Sequence, residues 1–194
     1  MSEKNTTYTV NLPSYTIGVD AYKAIPYVTR FYGKKAVVIG GKTAMAKAKP
    51  YLEEALAGTD TVITDYIWYG GDSSYENGDA LIANPTVQAA DMLFAVGGGR
   101  ACDTVKYAAD KLDKPLFTFP TVASNCAAVT AITVMYNPDG SFRDYYYPKL
   151  TNHCFINSAV IADSPEKLLW AGIGDALSKE CEAIFSSMDD KLSH

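Results

Sequence analysis

Three consecutive glycines, at residues 97–99, separate an apolar run from a segment with helical spacing. The run over 91–96 has the length and apolarity of a strand buried on both faces, as in a parallel sheet. From Ala101 to Leu112, apolar residues recur with the period of a helix. Glycines let the backbone turn sharply and let a bulky anion approach it closely. Because a helix N-terminus adds unpaired N–H groups and partial positive charge, this arrangement predicts a diphosphate cradle.

The glycine spacing differs from that of the common nucleotide-binding motifs. Neither G-x-G-x-x-G nor G-x-x-x-x-G-K-[ST] is present, and Lys42 and Thr43 follow Gly40 and Gly41 without the earlier glycine of a P-loop. A P-loop kinase or ATPase is therefore disfavoured. A plain tight turn between a strand and a helix is the alternative to a phosphate cradle.

Charge and hydropathy exclude several classes of protein. The 194 residues carry a net charge of -5 and are 48% hydrophobic, which is ordinary for a folded chain and excludes disorder. The negative charge and the lack of Lys/Arg runs argue against a nucleic-acid surface. No apolar stretch approaches the length of a membrane span, and the first residues lack a signal-peptide core. We therefore expect a cytoplasmic protein with no nucleic-acid or membrane partner.

Strand-like and helix-like segments alternate along the first 120 residues. Strands are predicted at 14–18, 36–39, 61–63, 91–96 and 115–119, with helices between them; those at 36–39, 91–96 and 115–119 are of the buried type. This alternation at about thirty-residue spacing predicts an α/β fold, namely a Rossmann-like parallel sheet with helices on both faces. Ligands of such sheets bind beyond the carboxyl ends of the strands. The glycines at 40–41, the triplet at 97–99 and the turn at 121–124 all follow predicted strand ends.

Local signals in the first half predict several further features. A strand is expected at 8–12, and Asp20 is expected to cap a helix that turns Phe31 inward and ends at Gly33. Thr43 is expected to cap the next helix. Pro50 lies within that helix and predicts a kink or a break.

The pattern changes after residue 124. Residues 131–136 and 142–147 predict a β-hairpin around a turn at 137–140. Further extended pieces are expected at 153–156 and 160–161. Ser164 begins a helix, and a second helix is expected from about Gly174.

Three segments, in this order, resemble the iron-containing alcohol dehydrogenase superfamily, and within it the glycerol dehydrogenases. They are Gly-Gly-Gly-Arg-Ala-Cys-Asp-Thr-Val-Lys at 97–106, the Pro-Thr-Val-Ala-Ser turn and following residues at 120–136, and Ala-Gly-Ile-Gly-Asp-Ala-Leu at 171–177. The resemblance implies a nucleotide-binding α/β domain over 1–162. It also implies the first helices of a truncated all-helical domain over 163–194, which in the family carries the rest of the metal and catalytic site.

The resemblance implies an oxidoreductase that uses NAD or NADP and, in the full-length parent, Zn²⁺ or Fe²⁺. Its expected reaction is hydride transfer from a polyol or small alcohol, and a homo-oligomer is expected. Alternatives are a dehydroquinate-synthase-like enzyme, a glycerol-1-phosphate-dehydrogenase-like enzyme, or a nucleotide-binding module without turnover.

The resemblance also implies a cofactor site. Gly97, Gly98 and Gly99 would lie at the diphosphate with Arg100 and Asp103 beside them. Thr121 and Ser124 would line the adenine and nicotinamide parts, and Thr130, Ile132 and Tyr136 would flank the nicotinamide. For Ile132 and Tyr136 the alternative is a place in the hairpin core. Gly40 is also expected in the cofactor site, where it replaces an acid that often contacts the adenine ribose, so the choice between NAD and NADP stays open.

Metal and substrate positions follow from the same resemblance. Asp175 matches a ligand of the catalytic metal, and an ordinary early-helix acid is the alternative. Cys126 falls on the position of a substrate-contacting aspartate, with a buried inert thiol as the favoured alternative. Neither histidine matches a ligand motif: His153 is expected at the surface or a strand end, and His194 at the terminus. Without a covering domain, apolar side chains over 168–185 are expected to form an exposed patch and to promote self-association.

Overall fold

A six-stranded parallel sheet forms the centre of the protein in a computed structural model that describes residues 11–186. The described residues form these strands, of which all but β6 and β7 belong to this sheet: β1 (Ser14–Gly18), β2 (Lys35–Gly40), β3 (Val62–Trp68), β4 (Met92–Gly97), β5 (Leu116–Pro120), β6 (Thr133–Tyr136), β7 (Phe142–Tyr146) and β8 (His153–Asn157). The sheet has the order β1-β8-β5-β4-β2-β3, and all of its strand pairs are parallel. β6 and β7 form a separate antiparallel hairpin. The predicted α/β fold with a parallel sheet and a hairpin is confirmed.

Helices cover both faces of this sheet. They are α1 (Ile25–Thr29), α2 (Lys42–Leu56), α3 (Tyr75–Ala83), α4 (Pro85–Ala89), α5 (Gly99–Lys111), α6 (Ser158–Ala162) and α7 (Glu166–Ser186). Short 3₁₀ turns lie at Ala21–Ala24 and Ala127–Val129.

Two apolar clusters, one on each side of the sheet, follow the alternation of side chains along the central strands. On one face, Val38 and Phe94 pack with residues of α2 such as Leu52. On the other face, residues including Leu93 pack with residues of α5 such as Val105. Both central strands are therefore covered on both sides, which explains their unbroken apolar sequences.

The strand order reverses next to β2. The chain passes from β2 to β3 on one side and then returns to place β4 on the other side of β2. The carboxyl ends of β2 and β4 lead into α2 and α5, which lie on opposite faces of the sheet. In open α/β sheets, the crevice at such a reversal is where ligands bind.

The hairpin turns where the sequence predicts and packs on α5. The Gly140 N–H donates to the Asn137 carbonyl at 2.8 Å, and Gly140 has a φ of +83°, which favours glycine. The Tyr136 N–H donates to the Ser73 carbonyl at 2.8 Å, and Met135 is fully buried. The hairpin is therefore held at the end of the sheet that carries the β4–α5 turn.

The first predicted helix differs from the structure. Asp20 makes no capping hydrogen bond and instead pairs with Lys23, and the segment divides into the Ala21–Ala24 3₁₀ turn and the five-residue α1. Phe31 lies beyond α1 and is 81% exposed, so its predicted inward position is wrong. The predicted strand over 8–12 falls mainly outside the described residues.

Other local predictions also need correction. Thr43 does not cap α2, which begins at Lys42 after Gly41 and continues without a break through Pro50. Residues 160–161 are helical, because the Asn157 side chain accepts from the Ala159 and Val160 N–H groups and starts α6.

The two helices predicted after Ser164 form one helix, α7. None of the α7 residues is buried, and Trp170, Leu177 and Phe185 are 62%, 70% and 80% exposed. The predicted exposed apolar patch is thus confirmed, while self-association stays a prediction. Within residues 11–186, no helix has the length and apolarity needed to span a bilayer.

Candidate functional site

A cleft of about 760 Å³ opens at the carboxyl ends of β2 and β4. Its walls are the first turns of α2 and α5, the turn that follows β5, and the link between α6 and α7. This volume falls in the range of roughly 300–1,000 Å³ that is usual for small-molecule sites. The cleft therefore lies at the reversal of strand order, where the fold favours a ligand.

The glycine triplet forms one wall of this cleft. Gly97 has a φ of +153°, and a Cβ there would lie 2.9 Å from the Ala101 Cβ. Gly98 precedes α5 and supplies no side-chain cap, and its carbonyl accepts from the Cys102 N–H at 3.1 Å. The N–H groups over 99–101 consequently begin the helix without intrahelical acceptors. A row of free donors at a helix N-terminus fits an anionic group.

The turn after β5 lies directly against the glycines. A Cβ at Gly99 would lie 2.8 Å from the Asn125 Nδ2, and a Cβ at Gly98 would lie 3.2 Å from the Val122 Cγ2. The Thr121 N–H donates to the Gly97 carbonyl at 3.3 Å. Together with Ser124, Thr121 lines the cleft, so the structure brings both next to the predicted cradle.

Gly40 and Gly41 have different roles at the end of β2. A Cβ at Gly40 would lie 1.9 Å from the Val96 carbonyl oxygen, so the close approach of β2 and β4 requires glycine there. Gly40 is buried and is not among the residues that line the cleft. Gly41 does line it, and a Cβ at Gly41 would meet no atom closer than 3.7 Å.

Arg100 lies in the cleft wall, and its side chain is held from two sides. Its Nε is 3.4 Å from an Asp72 carboxylate oxygen, and its guanidinium carbon lies 5.3 Å from the centre of the Tyr136 ring. Tyr136 is thus placed beside the cleft through Arg100 without being part of its lining.

Asp103 lies one turn into α5, beneath the hairpin and outside the cleft lining. One carboxylate oxygen lies 2.8 Å from the Lys106 Nζ, and the other accepts from the Val134 N–H at 3.2 Å. Burial raises the pKa of Asp103, and the Lys106 ammonium opposes that rise. The carboxylate therefore joins α5 to the hairpin in this structure.

Lys106 is the last residue of the glycine-triplet motif, and the sequence analysis assigned it no role. Its side chain is fully buried, and the ammonium donates to the carbonyls of Ala127 at 2.8 Å, Thr130 at 3.2 Å and Ile132 at 2.5 Å. Thr130 and Ile132, predicted to flank the nicotinamide, are held by these bonds and lie outside the cleft lining. The available signal was an acid and a lysine three residues apart within residues 101–109, the part of α5 whose other side chains are mostly apolar.

Cys126 is exposed at the start of the 3₁₀ turn, so the expectation of a buried inert thiol is wrong. It does not line the cleft. Cys102 and Cys154 are the buried thiols of the described region, and burial raises the pKa of Cys102 to about 12.

Asp175 lies in the middle of α7, with its carboxylate 3.5 Å from the Lys179 Nζ. Residues 11–186 contain no cluster of three or more His, Cys, Asp or Glu side chains able to hold a metal ion. The described part of the chain therefore does not itself complete a metal centre, because one carboxylate is too few ligands.

His153 is the first residue of β8 and is buried. Of its two predicted locations, the strand end is confirmed and the surface is wrong. Its ring nitrogens lie 2.7 Å from the Ser14 Oγ and 2.9 Å from the Thr16 Oγ1. His194 lies outside the described residues.

Comparison with known proteins agrees with this geometry. The family model for iron-containing alcohol dehydrogenase matches residues 13–164. Glycerol dehydrogenase 1 of Schizosaccharomyces pombe is 32% identical over 177 residues, which are 89% of this chain and 39% of that protein. Hydroxycarboxylate dehydrogenase A of Escherichia coli is 33% identical over 153 residues, 77% of this chain and 41% of that protein.

A solved structure supports the same assignment. The crystal structure of glycerol dehydrogenase from Schizosaccharomyces pombe superposes with a TM-score of 0.82 and 29% identity, over 95% of this chain and 48% of that one. The chain spans less than half the length of these relatives. Because the family model covers most of the sequence, the chain belongs to the iron-containing alcohol dehydrogenase family.

Proposed function

We propose that this chain binds the diphosphate of a nicotinamide dinucleotide, NAD(H) or NADP(H), in the cleft between the first turns of α2 and α5. The observation that carries the proposal is the row of helix-starting N–H groups over 99–101, which begins α5 without a side-chain cap and lines the cleft. Such a row, at the reversal of strand order, suits two linked phosphates.

The residues around the turn suit the remaining parts of a dinucleotide. Arg100 adds a cation beside the free N–H groups, and Asp72 together with the Tyr136 ring keeps its guanidinium at the cleft wall. Thr121 and Ser124 offer hydroxyl groups on the side formed by the turn after β5. Bound there, the nicotinamide ring would supply the hydride acceptor, and the chain's own residues orient it.

The activity of the whole protein is a further part of the proposal. The names of its relatives support an oxidoreductase that acts on a polyol or small alcohol, and the family name supports iron as the metal. Zn²⁺ is the other metal that the sequence resemblance implies. Asp175 would contribute one carboxylate to such a metal, and the division at 162–163 would separate the cofactor domain from the metal domain. The described residues supply no complete ligand set for that metal, so the other ligands would have to come from elsewhere.

Isothermal titration calorimetry of the 194-residue chain with NAD(H) and NADP(H) tests the proposal. We expect saturable binding of at least one dinucleotide, with ADP-ribose competing because it retains the diphosphate. Circular dichroism in the same buffer checks that the chain is folded. A folded chain that gives no heat with millimolar dinucleotide would contradict the proposal.

A further inference from the structure

The geometry points to Lys106 as a positioning residue that fixes the cleft wall following β5, so that binding of the nicotinamide half of the dinucleotide depends on it, whereas binding of the adenosine diphosphate half does not. This inference rests on the proposed function. Lys106 itself lies outside the cleft lining and would act through the backbone that it holds.

The cleft wall after β5 is a short span of chain that is held at both ends. Residues 121–126 join β5 to the 3₁₀ turn at Ala127–Val129 and contribute to the cleft lining. At the near end, β5 pairs with β4 in the sheet. At the far end, the Thr118 hydroxyl attaches the 3₁₀ turn to β5 at 2.8 Å, while the Lys106 ammonium attaches residues 127–132 to α5. The position of the wall therefore depends on where Lys106 holds its far end.

The Lys106 ammonium brings three backbone carbonyls to one point. It donates to the carbonyls of Ala127, Thr130 and Ile132 at 2.8, 3.2 and 2.5 Å. The Thr130 hydroxyl also approaches two of these carbonyls, but only at 3.4 and 3.5 Å, where hydrogen bonds are weak. Because a buried acceptor without a donor is costly, this segment would move to find other partners if the ammonium were removed.

Burial gives the ammonium a single position. The Lys106 side chain is fully buried, and the Asp103 side chain, 2.8 Å away, is 8% exposed. Asp103 also accepts from the Val134 N–H of β6, so the hairpin is attached to the same pair. Inside the protein, where the dielectric constant is low, such a network is rigid when all of its members are paired. A rigid buried cation suits a positioning role better than a solvated one.

The backbone that Lys106 holds lies on one side of the proposed diphosphate site. In doubly wound folds the adenosine ribose meets the end of the strand beside the glycine-turn strand, which here is β2. Since β4 lies between β2 and β5, the nicotinamide half would extend from the glycines toward the turn after β5. The N–H groups over 99–101 start α5 at the end of β4, so their position follows from the sheet. Loss of Lys106 should thus affect the two halves of the ligand unequally.

Calorimetric titration of the full chain tests this inference with two ligands. They are the reduced dinucleotide that binds more tightly, NADH or NADPH, and the matching half, ADP or 2′-phospho-ADP. The variant Asp103→Asn/Lys106→Met removes the ammonium without leaving a buried carboxylate unpaired. We expect it to weaken the dinucleotide about ten-fold and the adenosine diphosphate half less than about two-fold. At saturation, the emission of the bound reduced nicotinamide should also shift toward that of the free cofactor.

Lys111→Met is the matched control. It makes the same side-chain change at an exposed position of the same helix, outside the cleft lining. It should change neither affinity nor the emission of the bound cofactor.

A second variant, Asp103→Asn/Lys106→Gln, separates the hydrogen bonds from packing. Glutamine and methionine have side chains of equal length, but only glutamine carries N–H donors. We expect a loss of dinucleotide affinity of about three-fold instead of ten-fold. Circular dichroism and urea denaturation check the folding of each variant. If the methionine variant does not fold, the glutamine variant decides by the same comparison of the two ligands.

The outcomes separate the two proposals. Equal losses of both ligands in a folded variant, no loss of either, or equal losses in the methionine and glutamine variants would overturn the role of Lys106 and leave the cofactor site standing. No binding of either dinucleotide to the unaltered chain would overturn the proposed function, and this inference with it.

Discussion

The Lys106 ammonium lies 2.8 Å from the Asp103 carboxylate, one turn earlier on α5, and both side chains are buried. The pair links three elements, because Asp103 accepts from the Val134 N–H of β6 and Lys106 donates to carbonyls over 127–132. The segment that follows the cleft turn is therefore attached to the same helix that begins at the glycine triplet. Packing around the cleft depends on this buried pair.

Replacing Lys106 by methionine should lower the free energy of unfolding by about 3–5 kcal/mol, because a buried carboxylate loses its partner. Chemical denaturation with urea measures the change. Lys111→Met, on the exposed side of the same helix, is the control and should cost less than about 1 kcal/mol. The double variant Asp103→Asn/Lys106→Met should recover part of the loss. Equal, small effects of Lys106→Met and Lys111→Met would show that the buried pair is not stabilising.

A carboxylate introduced at the start of α5 should weaken cofactor binding without lowering the stability of the fold. Gly99→Asp adds a Cβ whose nearest neighbour is the flexible end of the Asn125 side chain, and its charge suits a helix N-terminus. We therefore expect an unchanged or slightly higher Tm and a loss of dinucleotide affinity of at least about ten-fold through charge repulsion. Calorimetry measures both quantities.

Thr86→Asp is the control for Gly99→Asp, since it places the same charge in the first turn of α4, away from the cleft lining. It should leave dinucleotide affinity unchanged. Retained affinity in Gly99→Asp would argue that the phosphates bind elsewhere.

Two glycines of α7 should respond in opposite ways to alanine. A Cβ at Gly172 would lie 1.7 Å from the Ala123 carbonyl oxygen, whereas a Cβ at Gly174 would meet nothing within 4 Å. Gly172→Ala should push α7 away from the turn after β5 and destabilise the protein by about 1–3 kcal/mol. Gly174→Ala should instead add about 0.5–1 kcal/mol of helix stability.

Urea denaturation measures both alanine variants, and the rate of limited proteolysis within α7 reports whether that helix has left the turn after β5. Faster cleavage is expected for Gly172→Ala alone. Identical behaviour of the two variants would show that α7 does not depend on its close approach to Ala123.

Stability should fall below neutral pH in part through His153. Burial lowers the pKa of His153 from its ordinary 6.5, so the folded state favours the neutral ring. The unfolded state then binds the proton first, and stability present above pH 6.5 is lost as the pH falls toward the folded-state pKa. His153→Asn removes this titration and should flatten the dependence between pH 7 and 5, as measured by urea denaturation at each pH. The same slope in both proteins would contradict the assignment.

Much of the fold could be predicted because its signals are local. The apolar run over 91–96, the glycines that follow it and the helical spacing from Ala101 lie within about twenty residues of one another, so the sequence alone shows the strand–turn–helix unit. The hairpin turn was likewise predictable from its Asn-Pro-Asp-Gly sequence. These elements place six of the predicted cofactor residues in one cleft: Gly97, Gly98, Gly99, Arg100, Thr121 and Ser124.

What could not be predicted depends on neighbours that are distant in sequence. Position 40 requires glycine because the Val96 carbonyl on the adjacent strand lies so close, and not because a ligand approaches it. Lys106 has no periodic signature, because its acceptors lie 21 to 26 residues further on. The sequence predicts a new helix from about Gly174, in line with the low helix propensity of glycine, whereas in the structure α7 continues through Gly174.

The N-terminal edge strand has a consequence for biosynthesis. β1 pairs with β8, and the hydrogen bond between the Ser14 Oγ and the His153 Nδ1 spans 139 positions. At translation rates of about 5–20 residues per second, the ribosome needs roughly 7 to 28 s to deliver that partner. Until then the backbone N–H and C=O groups of residues 14–18 lack their β8 partner, so the nascent chain carries an unpaired strand for that interval.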